Sequence, residues 1–119
     1  MGHRPEIGAI DVPKMVKVGE TEKITIAAKK EGGSGCGLLV KFGDGTDKQM
    51  KINRDEAKFP VTLEHAWKKD GKYTVSASGK EITTNKACKG SSSAVIQVGA
   101  PPKAKKPGGE DQELKAIAQ

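Results

Sequence analysis

The sequence predicts an all-β protein, an antiparallel β-sandwich of about seven short strands. Three observations predict this fold class: apolar residues alternate with polar ones over short runs, turn residues separate these runs, and no amphipathic helix is recognisable before residue 100. The length of 119 residues leaves room for one domain of ordinary size and a short irregular tail. A closed β-barrel is the competing architecture.

The first two predicted strands differ in the regularity of their patterns. Residues 10–18 form an irregular apolar stretch around Pro13, and because proline has no amide donor we place this strand at a sheet edge. Residues 24–28 alternate regularly, as expected of a strand with one buried face. A Gly-Glu-Thr turn at 19–21 separates the two strands.

The third predicted strand has the clearest alternation, with Leu38, Val40 and Phe42 on one face. The sequence Gly-Asp-Gly-Thr follows it at 43–46. Glycine supplies positive φ angles there, and the aspartate side chain can accept a hydrogen bond from the backbone ahead of it. A strong turn is therefore predicted, followed by a short strand over 47–52.

Three further strands are predicted in the second half of the chain. Residues 61–67 alternate after Pro60, and the Lys-Lys-Asp-Gly sequence at 68–71 is typical of a turn. Residues 73–77 and 94–98 then alternate as the last two strands, with a polar connection between them. The whole pattern assigns residues 7–99 to the sandwich.

Both chain ends are predicted to lie outside the sandwich. Residues 1–6 are treated as a flexible or cloning-derived N-terminus, and they lack the apolar run of a signal peptide. Residues 100–119 are rich in proline, lysine and glycine and are predicted to be a linker or disordered tail. No membrane span is expected, since a spanning helix needs about 20 apolar residues and no apolar run is longer than the three residues of Leu38 to Val40.

The chain is basic, with 21 Lys and Arg against 15 Asp and Glu and a formal net charge of +6. Such an excess attracts nucleic acids and other polyanions. Here the excess is diffuse and mostly lysine, and aromatic residues, at 3% of the chain, are too few to form a stacking platform for single strands. Specific nucleic-acid binding is therefore not predicted.

Three motifs follow one another along the chain. They are Val-Lys-Phe-Gly-Asp-Gly-Thr at 40–46, Glu-His-Ala-Trp at 64–67 and Asp-Gly-Lys-Tyr-Thr-Val at 70–75. In order and spacing they resemble the polycystic kidney disease (PKD) domain, an immunoglobulin-like β-sandwich, over roughly residues 7–99. The motif positions to which the resemblance gives structural roles are Val40, Phe42, Gly43, Asp44, Gly45, His65, Trp67, Gly71, Tyr73 and Val75.

The sequence departs from the family pattern at three positions. Val40 stands where the family usually has tryptophan, and Lys41 stands where it often has aspartate. Trp67 occupies an aromatic position usually held by tyrosine, where its larger ring can compensate for the volume lost at Val40. These changes bear more on a surface function inherited from the family than on the fold.

Each polar motif residue has a structural role that needs no ligand. Asp44 is expected to cap the amides of its turn; a calcium site with Asp47 is the alternative, although calcium takes about six to eight oxygens and no EF-hand spacing is present. His65 is expected to pack beside Trp67 with a ring nitrogen bonded to backbone, rather than to act as a zinc ligand or base. The Tyr73 hydroxyl is expected to bond back to the backbone.

The two cysteines predict a disulfide within this fold. Cys36 begins the third strand and Cys88 lies between the last two. In a sandwich where those strands neighbour the third, both positions fall at the same end, so that Cys36 and Cys88 can be joined. A disulfide implies the periplasm or the cell exterior. The alternative is two free thiols in a cytosolic protein, and a metal site formed by two isolated cysteines is weaker still.

The resemblance implies a non-catalytic module, because PKD domains commonly occur in extracellular multi-domain proteins and beside secreted hydrolases. We expect a monomeric, extracellular or periplasmic domain that binds another protein or a polysaccharide, or that spaces neighbouring domains. The alternative is an accessory module of a secreted hydrolase that binds polysaccharide or an anionic polymer. No enzyme and no cofactor is predicted, because no nucleophile with a base, paired acids or metal cluster is recognisable.

The possible ligand surfaces differ with the partner. An exposed Trp67 or Phe59 would favour sugar rings, although both aromatics are expected in the core. A group of basic residues would instead favour an acidic partner. The alternative interpretation of this group is a solvated strand face whose charges discourage pairing with the edge of another sheet. The residues of this basic group are Lys48, Lys51, Arg54 and Lys58.

Overall fold

The structure, a computed structural model, describes residues 3–100, so that the tail predicted over residues 100–119 lies outside the described residues except for Ala100. All eight elements in it are β-strands, one more than predicted. No helix that could cross a membrane occurs among residues 3–100. In chain order the strands are β1 (Glu6–Asp11), β2 (Met15–Val16), β3 (Thr21–Lys30), β4 (Cys36–Lys41), β5 (Asp47–Ile52), β6 (Val61–Ala66), β7 (Gly71–Gly79) and β8 (Ser91–Val98).

The strands form two separate sheets, which is a sandwich rather than a closed barrel. The smaller sheet has the order β1-β3-β6, and the larger has the order β2-β8-β7-β4-β5. Every pairing between neighbouring strands is antiparallel except that of β2 with β8, which is parallel. The predicted fold class, an antiparallel immunoglobulin-like sandwich, is confirmed.

The extra strand arises because the first predicted strand is split. The sequence predicted one edge strand over residues 10–18, whereas the structure has β1 at the edge of the smaller sheet and β2 at the edge of the larger. Pro13 lies between β1 and β2, where the chain passes from one sheet to the other. The edge position is therefore confirmed, while the single strand is wrong: proline cannot donate to a ladder, and the pairing ends there.

Residues 3–5, which the sequence assigned to the N-terminus outside the domain, contact the sandwich. The Arg4 guanidinium donates to the carbonyl oxygen of Ala87 at 2.7 Å. The Pro5 carbonyl oxygen accepts a bond from the Lys89 amide at 3.0 Å, immediately before β1 begins. These backbone and side-chain bonds tie residues 4 and 5 to the connection between β7 and β8.

The core between the sheets is aliphatic and surrounds a single tryptophan. Alternate residues of β3, β4, β6, β7 and β8 point inward, as their period of two predicts. Met15 and Val18, from the irregular apolar stretch, are instead exposed. The buried side chains are Ile7, Val16, Ile24, Ile26, Cys36, Leu38, Val40, Phe42, Ile52, Val61, Leu63, Trp67, Val75, Ala77, Cys88, Ile96 and Val98.

The predicted disulfide between Cys36 and Cys88 is present, with the two Cα atoms 4.8 Å apart. Cys36 begins β4, and the next residue, Gly37, forms a β-bridge with Ala87. The start of β4 and the connection after β7 are therefore brought together by backbone pairing. We call this end of the sandwich the disulfide end, and the opposite end, which holds residues 42–46, the motif end.

Candidate functional site

Three aromatic rings of the motifs meet at the motif end. The rings of Phe42 and His65 stack in parallel with centroids 3.9 Å apart. Trp67 meets both rings edge-on, with centroids 6.4 Å from Phe42 and 4.7 Å from His65. Its indole Nε1 donates to the Phe42 carbonyl oxygen at 2.9 Å, so that the polar atom of this fully buried ring has a partner.

Asp44 joins this cluster through both of its carboxylate oxygens. Oδ1 accepts bonds from the Thr46 amide, at 3.0 Å, and from the Thr46 hydroxyl, which confirms that Asp44 caps its own turn. Oδ2 lies 2.8 Å from Nε2 of His65. The prediction that His65 bonds to backbone is therefore wrong, because the fold brings it to a carboxylate 21 residues earlier in the chain.

The environment of Asp44 lowers the pKa of its carboxyl group. Burial raises this pKa, but hydrogen bonds from the Thr46 hydroxyl, the His65 ring and the Thr46 amide, together with the charge of His65, lower it. The lowering contributions outweigh burial, and the pKa falls below its ordinary value of 3.8. The ionised form of Asp44 is thus stabilised in the folded protein.

This pKa shift predicts an acid-sensitive contribution to stability. Because the unfolded chain holds the Asp44 proton more tightly than the folded chain, the contribution is complete above the unfolded pKa of about 3.8 and is lost as the pH falls through the lower folded value. We expect Asp44→Asn to reduce the free energy of unfolding at pH 7 by about 1–3 kcal/mol. Urea denaturation from pH 7 down to about pH 2.5 measures the effect.

The matched control is Asp47→Asn, since Asp47 is exposed and opens the next strand. The Asp47 variant is expected to keep the wild-type stability at pH 7 within about 0.5 kcal/mol. The difference in stability between wild type and the Asp44 variant is expected to shrink below about pH 4. A difference that is constant across the pH range would show that the charge of Asp44 does not contribute.

The other motif residues also have internal roles. The Tyr73 hydroxyl donates to the Lys69 carbonyl oxygen at 2.9 Å, which confirms the predicted bond to backbone. Gly43, at φ 87°, lies so close to β7 that a Cβ atom there would be 2.6 Å from the Thr74 carbonyl oxygen. The remaining motif positions are the positive-φ glycines Gly45 and Gly71 and the fully buried Val40 and Val75.

The polar motif residues are bonded to one another within the described part of the chain. Among residues 3–100 there is no group of three or more His, Cys, Asp and Glu side chains placed to hold a metal ion. Both oxygens of Asp44 are already bonded within the protein, and the Asp44–His65 pair has no further ligand beside it. The polar atoms of the motif end therefore hold the turn and the aromatic cluster together.

The predicted basic group surrounds the outer edge of β5. Lys48 is paired with Val40 and Lys51 with Gly37, and these positions are three residues apart on a strand, so the two lysines point to opposite faces. The interpretation of the group as one strand face is therefore wrong. Lys48 and Lys51 nevertheless line one groove with Lys58, and Arg54 lies in the adjoining depression.

This groove, which we call the edge groove, lies between the free edges of β5 and β6 and has a volume of about 710 Å³. It is lined by residues 48–51, 56–58, 60–63 and Ile82. The groove could not be predicted from the sequence, because it depends on which two strands lie at the edges of the sheets. The only available signal was the position of three lysines around one short strand.

The lysines of the edge groove have no acidic partner in the described part of the chain. Ion pairs within 4.0 Å among residues 3–100 are those of Lys29 with Glu6 and of His65 with Asp44. Glu56 is the one acidic residue that lines the groove. The edge groove therefore carries a net positive charge, with three lysines against one carboxylate.

Comparison with solved structures identifies the class of fold. The PKD domain of an M14-like peptidase from Thermoplasmatales archaeon SCGC AB-540-F20 matches with a TM-score of 0.61 and 22% identity, over 84% of this chain and all of that one. The PKD domain of the human VPS10 domain-containing receptor SorCS2 matches with a TM-score of 0.63 and 16% identity, over 87% of this chain and 80% of that one.

A third similar structure is the CARDB domain of a Pyrococcus furiosus protein in complex with di-metal ions. It has a TM-score of 0.55 and 18% identity, and the match covers 80% of this chain and 89% of that chain. No family model matches the sequence, and no curated protein matches it either. The likenesses show the fold, a PKD-like immunoglobulin sandwich, which agrees with the resemblance of the three sequence motifs.

Proposed function

We propose that this chain is a non-catalytic module of a secreted protein, in the periplasm or outside the cell, which binds another protein and holds neighbouring domains apart. The observation that carries the proposal is the contrast between two surfaces. The polar side chains of the motif end are bonded to one another, whereas the lysines of the edge groove have no partner among residues 3–100. The disulfide supports an oxidising compartment.

The Asp44–His65 pair does not form a catalytic unit in this proposal. A base that activates a nucleophile must lie within hydrogen-bond reach of a hydroxyl or thiol. The hydroxyl in the cluster belongs to Thr46 and donates to Asp44 on its other oxygen, not to the imidazole. His65 is also stacked against Phe42, so the pair orders the motif end rather than activating a substrate.

The burial of the aromatic residues disfavours a neutral polysaccharide as the ligand. Stacking against a sugar ring needs a flat aromatic face in contact with solvent. Trp67 is fully buried, Phe42 is buried beside it, and Phe59 packs against the core. An anionic polymer is the second candidate ligand, because the edge groove and Arg54 supply positive charge.

Column retention distinguishes these partners. We expect no retention of the domain on cellulose, chitin or starch, and retention on polyglutamate, heparin and DNA that is weak and lost as salt increases, without sequence preference for DNA. Replacing Lys48, Lys51 and Lys58 together by glutamine is expected to reduce retention on the anionic columns. Retention is scored by the salt concentration at elution.

The matched control replaces three exposed lysines outside the groove, Lys17, Lys68 and Lys72, by glutamine. Both triple variants have the same net charge, so a difference between them reports the location of the charge. Binding to a neutral polysaccharide would overturn the choice of a protein partner. Heparin binding that persists at high salt would favour the anionic polymer instead.

A further inference from the structure

We propose that the edge groove binds an extended, acidic segment of the partner protein as an added β-strand beside β5. This inference rests on the proposed function, since it names the chemistry of the protein partner. In strand addition, backbone hydrogen bonds at a sheet edge provide affinity, and side-chain contacts on alternate positions provide specificity. Each of these components is available in the edge groove.

The groove exposes the unpaired backbone edge of β5. In the described part of the chain β5 pairs with β4 and with no other strand, so its outer amide and carbonyl groups have no partner in the sheet. The groove touches four consecutive residues, Lys48 to Lys51, whose side chains alternate between the two faces of the sheet. A single groove reaches all four only along the backbone edge that they share.

The walls of the groove offer apolar contacts on both sides of that edge. The partly exposed Met50 and Ala57 lie on the inner side. Val61 and Leu63 of β6, beside them, are buried in the core and leave only a small apolar area at the groove. Ile82 lines the groove from the connection after β7. A strand placed along β5 would therefore find apolar surface for side chains on each of its faces. About six residues would span the length of β5, which is about 20 Å.

The charge of the groove argues for an acidic occupant. Lys48, Lys51 and Lys58 line it against the single carboxylate of Glu56, and no ion pair within residues 3–100 neutralises these lysines. Lys48 and Lys51 project on opposite faces, so each face of an added strand would meet one ammonium group. A second copy of this chain would bring the same excess of positive charge and is the poorer occupant.

The probe is a fluorescent peptide of about eight residues with blocked ends, in which two glutamates alternate with two valines, so that each face of the extended strand carries both residue types. Binding is measured by fluorescence anisotropy at low salt, and its location by shifts of backbone amide resonances. We expect the largest shifts along β5 and the groove-facing edge of β6. The variant with Lys48, Lys51 and Lys58 replaced by glutamine is expected to bind about tenfold more weakly, and the variant at Lys17, Lys68 and Lys72 to bind like wild type.

A second peptide tests the backbone pairing without any change in the protein. It has the same side chains but is methylated at every backbone nitrogen, so it keeps its carboxylates and cannot donate to β5. We expect it to bind at least about tenfold more weakly than the unmethylated peptide. Equal binding of the two peptides, or amide shifts located away from β5, would overturn strand addition.

The remaining outcomes separate the other occupants from the proposed one. Single-stranded DNA or heparin of similar length that binds the groove as tightly as the peptide would overturn the peptide as its ligand. Self-association in sedimentation that the groove variant abolishes would make a second copy the occupant and overturn the inference. If the peptide does not bind but the groove variant still loses retention on polyglutamate, strand addition is wrong and the proposed function stands. If the peptide does not bind and the groove variant is also retained on polyglutamate like wild type, the proposed function is wrong as well.

Discussion

Replacing Trp67 by alanine is expected to lower the free energy of unfolding by about 3–5 kcal/mol. The indole is the largest fully buried side chain, it packs edge-on against Phe42 and His65, and its Nε1 bonds to the Phe42 carbonyl oxygen. Alanine would leave a cavity and an unpaired buried carbonyl group. Urea denaturation followed by circular dichroism measures the change, because the variant has no tryptophan to report by fluorescence.

The matched variant is Trp67→Phe, which keeps a ring but removes the Nε1 donor. It is expected to lose less stability than Trp67→Ala, about 1–3 kcal/mol. Tryptophan emission of the native protein is expected to be blue-shifted and protected from quenchers, since the indole is fully buried. Red-shifted, readily quenched emission, or an alanine variant of near wild-type stability, would contradict the position of Trp67 in the core.

Replacing both Cys36 and Cys88 by alanine is expected to destabilise the domain by about 4 kcal/mol. The bridge joins residues 52 positions apart, and on the chain-entropy account a loop of that length restricts the unfolded state by about this free energy. This is a large part of the free energy of unfolding of a typical domain, which is about 5–15 kcal/mol. Urea denaturation of both proteins, with and without reductant, measures the effect.

Reductant is expected to destabilise the wild type and to leave the stability of the double variant unchanged. The double variant is therefore the control for effects of the reductant other than cleavage of the disulfide. Mass measurement after alkylation gives an independent result. Native protein is expected to take no label, and reduced, unfolded protein is expected to take a label at both cysteines, since the structure joins Cys36 and Cys88. Labelling of both residues in the native protein would remove the disulfide and with it the argument for an oxidising compartment.

The sequence predicted the strands well because their signal is local. A period of two marks an inward face, and the alternation of Leu38, Val40 and Phe42, or of Val75 and Ala77, is the alternation of burial that the structure shows. The turn at residues 43–46 was equally readable, because glycine and aspartate each have a conformational reason to occupy it.

The sequence did not indicate that the first predicted strand would be divided between the two sheets. This division depends on β1 pairing with β3 and on β2 pairing with β8, which is more than 80 residues away from it. Pro13 indicated an interrupted ladder, but an interruption does not show which strand the chain joins next. Only the packing of the whole sandwich decides that.

The site was predicted less completely than the fold. The partner of His65 was missed because a carboxylate 21 residues away becomes a neighbour only after β4 and β6 face each other across the core. The placement of Lys48 and Lys51 on opposite faces of β5 could have been predicted, since side chains an odd number of residues apart on a strand point to opposite faces. The edge groove was not readable, because sheet order determines which edges remain open.

The path of the chain through the sandwich has a mechanical consequence. Strand β1 begins at the disulfide end, and β8 finishes at the opposite end beside β2. Tension applied between residues 6 and 98 would run along the length of the domain and would shear the parallel β2–β8 contacts. The bridge between Cys36 and Cys88 would keep the intervening segment from extending, which shortens the reach of the unravelled chain by about 170 Å. A polypeptide linker that contains this domain would therefore lengthen by only a limited distance when the domain unfolds under tension.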